Sequence, residues 1–303
     1  MPCYSPLNGY RSATVNDSGK RSIVFNTAEG FRDLPVTVPC GQCIGCRLER
    51  SRQWAVRCTH EAQLHEKKCF VTLTYEDSNL PVGGTLVRRD LQLFLKRLRK
   101  LHPPRTILYF GCGEYGDLNQ RPHYHACLYG VDFREEWKRF GGNDDNPIFT
   151  SETLTALWPH GFSTVGEFSF DTAAYVARYV VKKINGDRAE KHYQSLDTST
   201  GEIIQRTPEF VAMSLKPAIG KTWLEKYQDD VYPRDEIALR GKLLPSIRYY
   251  DKKLEEKNPK LLARLKARRK RRAARNGANN TPQRLAVRNE VQTLKLQQLK
   301  RKL

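Results

Sequence analysis

Residues 106–130, TILYFGCGEYGDLNQRPHYHACLYG, decide how this chain folds. Two runs rich in β-branched and aromatic residues, Thr106–Gly111 and His123–Gly130, flank a polar, glycine-containing segment. That is the pattern of two strands joined by a loop. Side chains alternate between faces along a strand, so His123 and His125 share one face and Tyr124 points to the other. Two imidazoles on one sheet face are well placed to hold a single divalent metal ion.

Working outward, Cys69–Tyr75 (CFVTLTY) is a buried strand bounded by the turn-like EDSNLP. Leu86–Leu101 places Leu91, Phe94, Leu95, Leu98 and Leu101 on one helical face, and Pro103-Pro104 ends it. A long helix over Gly45–His65 follows from the spacing of Leu48, Ala55, Cys58 and Ala62. Gly161–Ser169 reads as a further strand, and Ser169 or Asp171 caps a helix over Thr172–Ile184. GGNDDNP (141–147) reads as a loop insertion, and residues 185–205 as a loop or exposed hairpin. The order β-α-β-β-loop-β-α predicts an α+β fold with a mainly antiparallel sheet and flanking helices. Three regions are expected: an irregular segment 1–38, a central domain 39–250, and a basic tail 251–303, helical or disordered.

Charge separates the last two regions. Of the net +19 over 303 residues, +14 lies in 251–303, where 18 Lys and Arg face 4 Asp and Glu. The central part is nearly balanced, so the composition predicts a polyanionic partner gripped mainly by the tail. KARRKRRAARN (266–276), with Arg268, Arg269, Lys270, Arg271 and Arg272, carries cations around a helix and suits sequence-independent phosphate contacts. Charges interrupt every apolar run long enough to cross a bilayer. The opening MPCYSPLNGY has neither a basic nor an apolar leader region, so an intracellular, thiol-reducing setting is expected.

Within 172–184, Ala173, Val176, Ala177, Val180, Val181 and Ile184 form a complete apolar stripe, and Tyr175, Arg178, Tyr179 and Lys182 fall on the other face. Core packing therefore does not require the tyrosines. Two phenols one turn apart beside two cations suit repeated attack on a phosphodiester, because positive charge favours the phenolate and neutralises the phosphate.

FVTLTY (70–75), PHYHACLYG (122–130) and YVARYVVK (175–182) resemble the three ordered motifs of the HUH rolling-circle replication initiators, in their two-tyrosine form. PCGQCIGCRLERSRQWAVRC, CGEYGDLNQRPHYHACLYG, MSLKPAIGKTWLEKYQDDVYP and IRYYDKKL are similar to the replication initiators of gokushoviruses (family Microviridae). The resemblance spans roughly 39–253 and implies an HUH-type sheet that nicks and rejoins single-stranded origin DNA through a 5′-phosphotyrosine. It implies Mg²⁺ or Mn²⁺ on His123 and His125, with an acidic third ligand: Glu114, or else Asp117 or Glu76. It places the nucleophile at Tyr175 or Tyr179, with Arg178 and Lys182 steadying the phosphate. Action in the host-cell cytoplasm, beside a host helicase and DNA polymerase, follows from the same likeness.

Cys40, Cys43 and Cys46 form C-x2-C-x2-C, a set that suits structural Zn²⁺ with Cys3, Cys58 or His60 as fourth ligand, or that stays as reduced thiols. Other signals fail on spacing. Gly220-Lys221-Thr222 lacks the earlier glycine of a P-loop, where Leu215 stands, so no nucleotide cofactor is expected. His60-Glu61 and His65 miss the zinc-protease spacing, and Gly111-Cys112-Gly113 lacks a third glycine. Two other functions compete with a nickase: a non-catalytic basic DNA- or RNA-binding protein with a zinc knuckle, and a protein that binds capsid or genome during packaging.

Overall fold

The computed structural model describes residues 3–17, 19–116, 119–144, 146–182, 187–196 and 200–298, without the side chains of 179–182, 187 and 188. The chain forms two units, one of residues 50–262 and one of both chain ends, 1–49 with 263–302.

In the end unit, β1 (Leu7–Ser12), β2 (Ile23–Val24) and β3 (Gly30–Val38) make an antiparallel sheet in the order β2-β1-β3, with Leu7 paired to Val38. The sequence predicts irregular structure over 1–38. The strands escaped because most of their side chains are exposed, so no apolar alternation marks them. Helix α1 (Ile44–Ala62) follows.

The larger unit continues with β4 (Lys68–Thr74), α2 (Arg88–Leu101), β5 (Leu108–Tyr115), β6 (Pro122–Tyr129), β7 (Lys138–Gly142), β8 (Pro147–Thr150), α3 (Glu152–Leu157), β9 (Ser163–Glu167) and α4 (Phe170–Lys182). Then come α5 (Asp187–His192), the hairpin β10 (Gln194–Leu196) and β11 (Ile203–Gln205), β12 (Phe210–Met213) and α6 (Lys221–Val231). The hairpin β13 (Glu236–Leu239) and β14 (Lys242–Pro245) leads into α7 (Arg248–Lys257). Seven strands form one sheet in the order β12-β5-β6-β4-β9-β8-β7, with every pair antiparallel. The fold is therefore α+β, with a large antiparallel sheet and flanking helices.

GGNDDNP proves to be the turn of the β7–β8 hairpin rather than a plain loop. Gly142 sits there at φ +79, where a Cβ would collide with the Asn146 carbonyl. Residues 187–205 hold a short helix as well as the expected hairpin.

Alternation along the central strands divides the core into two layers. On one face Val71, Leu73, Tyr124, Ala126 and Leu128 pack against Leu91, Phe94, Leu95 and Leu98 of α2 and Leu154 of α3. On the other, Phe110, Cys112, Cys127 and Tyr129 pack against Cys58 and Ala62 of α1 and Ala173, Val176 and Ala177 of α4. Burying polar groups in the first layer demands partners. The Tyr75 hydroxyl donates to Asp90 at 2.6 Å and lies 2.8 Å from that of Tyr124, which in turn donates to the Val87 carbonyl at 2.9 Å.

The tail is helical: α8 (Pro259–Ala274) and α9 (Pro282–Gln298), with Leu265 and Leu285 buried. Arg268, Lys270, Arg271 and Arg272 are exposed and Arg269 is half-buried. Among the described residues no helix is long and apolar enough to cross a membrane.

Candidate functional site

Pairing of β5 with β6 sets Glu114 opposite His123 and Cys112 opposite His125, while β4 sets Thr72 opposite His125. Glu114, His123 and His125 therefore project from the α4 side of the sheet as neighbours, directly across or diagonally. Their contacts meet at one atom. Nε2 of His123 lies 2.7 Å, and Nε2 of His125 3.0 Å, from Glu114 Oε1, and the Tyr175 hydroxyl donates to the same oxygen at 3.2 Å. One donor atom from each of Glu114, His123 and His125 lies within 4.8 Å of the other two.

The imidazoles are held from behind. His123 Nδ1 is 3.0 Å from the Arg121 carbonyl, which can only accept, so Nδ1 donates there and Nε2 is the nitrogen turned to Glu114. His125 Nδ1 lies 2.9 Å from the Thr72 hydroxyl, and Phe70 stacks on its ring. At 2.7 Å, either a proton or a metal cation lies between His123 Nε2 and the carboxylate oxygen. With Nε2 deprotonated, the two imidazoles and the carboxylate fit a divalent cation, and the second partner on each ring is how metal-ligating histidines are oriented. With protons in place of a cation, burial alone would raise the Glu114 carboxyl, but the hydrogen bonds and positive charge of His123 and His125 then outweigh it and hold that group below the usual carboxylate value.

Tyr175 comes from α4. The sequence puts it on the face away from the apolar stripe; the structure turns it partly inward, edge-on to His125 at 5.1 Å and to Phe70 at 6.4 Å. Ala173, Val176 and Ala177 bury as expected, and Tyr175 lies on the flank of that stripe against His125 of β6 and Phe70 of β4. Arg178 is exposed, with its guanidinium 5.4 Å from the Tyr175 ring centre. Tyr179 and Lys182 belong to the same helix, but their side chains, like all of Asp117, lie outside the described residues. Glu76 stands apart: it is exposed, and its Oε1 accepts from Ser78 and Asn79.

Sequence reasoning missed Thr72, Phe70 and the Arg121 carbonyl. Thr72 was within reach, since alternation in FVTLTY sets it and Phe70 on the face opposite Val71 and Leu73. Arg121 is fixed by its own guanidinium, which donates to the Tyr75 carbonyl and, at 2.6 Å, to Asp77. No sequence pattern announces that role.

A second cluster lies in the end unit. The sulfurs of Cys3, Cys40, Cys43 and Cys46 lie within 4.8 Å of one another, and none is in a disulfide. Burial works to raise the Cys43 thiol, but amide donors from Tyr4 and Cys46 and the neighbouring thiols bring it down to about 6. Of the three expected fourth partners, Cys3 is the one present. Cys58 is buried in the sheet core, which pushes its thiol up to about 12. His60 stacks on Trp223 with ring centres 3.5 Å apart and meets the Tyr250 hydroxyl at 2.8 Å.

The family model for replication-associated protein ORF2/G2P matches residues 68–184, which run from β4 through α4 and hold the whole Glu-His-His-Tyr group. The chain is 32% identical over 269 residues to replication-associated protein VP4 of Bdellovibrio phage phiMH2K, covering 86% of this chain and 79% of that one. It is 32% identical over 231 residues to replication-associated protein ORF2 of Spiroplasma virus 4, covering 72% and 68%. Replication-associated protein ORF4 of Chlamydia phage 1 is 34% identical over 154 residues, covering 48% and 38%. No solved structure matches the chain.

Proposed function

Because the chain belongs to the phage replication-associated proteins, the replication initiators of the Microviridae type, we propose that it is an HUH endonuclease. In this reading it starts rolling-circle replication by nicking, and later rejoining, single-stranded viral DNA at the origin. The observation that carries the proposal is the meeting of two imidazoles and a phenol at one carboxylate oxygen.

Glu114, His123 and His125 would hold Mg²⁺ or Mn²⁺, which when bound supplies Lewis-acid polarisation of a phosphate oxygen. Tyr175 is the first nucleophile. Its hydroxyl already donates to Glu114, so the proton has an acceptor as the phenolic oxygen bonds to phosphorus. The P–O3′ bond breaks, the departing oxygen takes a proton from solvent, and the DNA is left with a 3′-OH and a 5′-phosphotyrosine. That 3′-OH primes a DNA polymerase, and strand separation falls to a host helicase. Because the phosphodiester is exchanged rather than hydrolysed, a second tyrosine, Tyr179, can cut the regenerated junction and release a resealed circle. Arg178 and Lys182 offset the phosphate charge. Arg268, Arg269, Lys270, Arg271 and Arg272 on α8 supply sequence-independent grip on the strand.

The competing reading, a basic binding protein without catalysis, leaves the convergence of Tyr175 with the two histidines without a purpose. The test is incubation of the full chain with single-stranded origin DNA and Mn²⁺, followed by denaturing electrophoresis. A covalent adduct is expected from the wild type and none from Tyr175→Phe/Tyr179→Phe. Absence of an adduct in the first, or its persistence in the second, removes the nickase.

A further inference from the structure

We propose that Cys3, Cys40, Cys43 and Cys46 form a structural Zn²⁺ site, with Cys3 as the fourth ligand that the C-x2-C-x2-C run lacks. The site lies wholly within the end unit, and the proposal stands independently of the nicking chemistry.

Chain geometry brings the four together in three steps. Gly41 at φ +76 lets the chain turn between Cys40 and Cys43, and the Cys43 amide donates to Cys40 Sγ at 3.3 Å across that turn. Cys46 follows in the first turn of α1, three residues after Cys43, so its sulfur returns to the same side. Cys3 arrives from far away in sequence. The β1–β3 ladder ends with Leu7 opposite Val38, so residues before Leu7 run alongside those after Val38. The Cys40 amide then donates to Cys3 Sγ at 3.3 Å, and the Tyr4 amide to Cys43 Sγ at 3.3 Å.

The sulfur separations choose among the chemistries open to four cysteines. Cys3 Sγ is 3.8 Å from Cys40 Sγ and 4.0 Å from Cys43 Sγ. Four thiolates bound tetrahedrally at ~2.3 Å to one zinc ion have sulfurs ~3.8 Å apart. A disulfide needs ~2.05 Å between sulfurs. The four other cysteines, Cys58, Cys69, Cys112 and Cys127, are buried in the sheet core and stand outside the cluster.

The test is metal content of the full chain, purified without chelator and dialysed, in wild type, Cys3→Ser, Cys43→Ser and His123→Ala. One equivalent of zinc is expected in the wild type and in His123→Ala, and loss of that equivalent in both cysteine variants. Cys3→His, which keeps a zinc ligand, should restore it. Replacing the zinc by Co²⁺ should give the sulfur-to-cobalt charge-transfer absorption of a tetrahedral thiolate site. For the wild type alone, blocking thiols with a mercurial should release the zinc, a measurement that holds even if a cysteine variant fails to fold. Wild type without zinc, zinc unchanged in Cys3→Ser, iron in place of zinc, or a cobalt spectrum without thiolate bands would each overturn the assignment.

Discussion

The two metal-competent clusters of this protein are built in opposite ways. Glu114, His123 and His125 stand on adjacent strands of a seven-stranded sheet, and register sets their spacing before any ion arrives. The cysteines hang on a turn, the first turn of a helix and a segment next to the N-terminus. There the ion would complete the structure, because ordering such a segment carries an entropic cost that coordination offsets. The donors differ in the same sense: imidazole and carboxylate suit an exchangeable, working cation, and thiolates suit a retained one. On these proposals, one site would be preorganised by the fold, and in the other the ion would organise its surroundings.

That contrast can be broken experimentally. The largest effect is expected from His123→Ala. Losing a ligand that helps to stabilise transition-state charge should slow cleavage by ~10³-fold or more, equivalent to about 4 kcal/mol. DNA affinity and the urea midpoint should stay close to wild type, because the sheet and not the ion sets the geometry. A variant that cleaves normally ends the metal assignment, and one that unfolds ends the claim of preorganisation.

Thr72→Val comes next. It removes the hydroxyl 2.9 Å from His125 Nδ1 while keeping the shape of the side chain. Mn²⁺ affinity, measured by calorimetry, should fall ~10–100-fold, the usual cost of losing a partner that orients a ligand. An unchanged affinity would mean that sheet register alone fixes the ring.

His60 supplies an imidazole placed for packing rather than coordination. Burial holds it down to about 3, whereas the unfolded chain titrates near ~6.5. The folded-state value is the lower one, so the unfolded state binds more protons between those limits. Stability is therefore complete above about 6.5 and is lost as pH falls toward 3, by at most about 1.4 kcal/mol per pH unit from this group. Urea midpoints measured across this window should fall less steeply for His60→Gln. Equal slopes would remove His60 as the cause.

The smallest effect concerns the tail. Changing Arg268 and Arg271 to Gln should reduce the slope of log affinity against log salt by ~0.7 for each phosphate of single-stranded DNA that the variant no longer neutralises. Cleavage at saturating DNA should not change. A drop there would move these arginines from general grip into the chemistry.

Much of this was legible in the sequence. Alternation placed His123 and His125 on one face, and the helical spacing of Ala173, Val176 and Ala177 gave α4 its buried side. The three-stranded sheet in 1–38 was not legible, because exposed strands leave no apolar trace. Tyr175 read as a surface residue because a helical stripe has no sharp edge: a side chain on its flank faces solvent or a neighbour according to what the sheet offers, and here Phe70 and His125 receive it.

By itself, then, the sequence determined the donor types and their local periodicity, since alternation and helical pitch are fixed by the backbone within a few residues. Only the tertiary structure decided which distant residue joins each group: Glu114 rather than Glu76 beside the histidines, and Cys3 rather than Cys58 or His60 beside the cysteines. Those choices depend on how β5 pairs with β6 and β1 with β3. A one-residue slip in either ladder would send the partner to the opposite face.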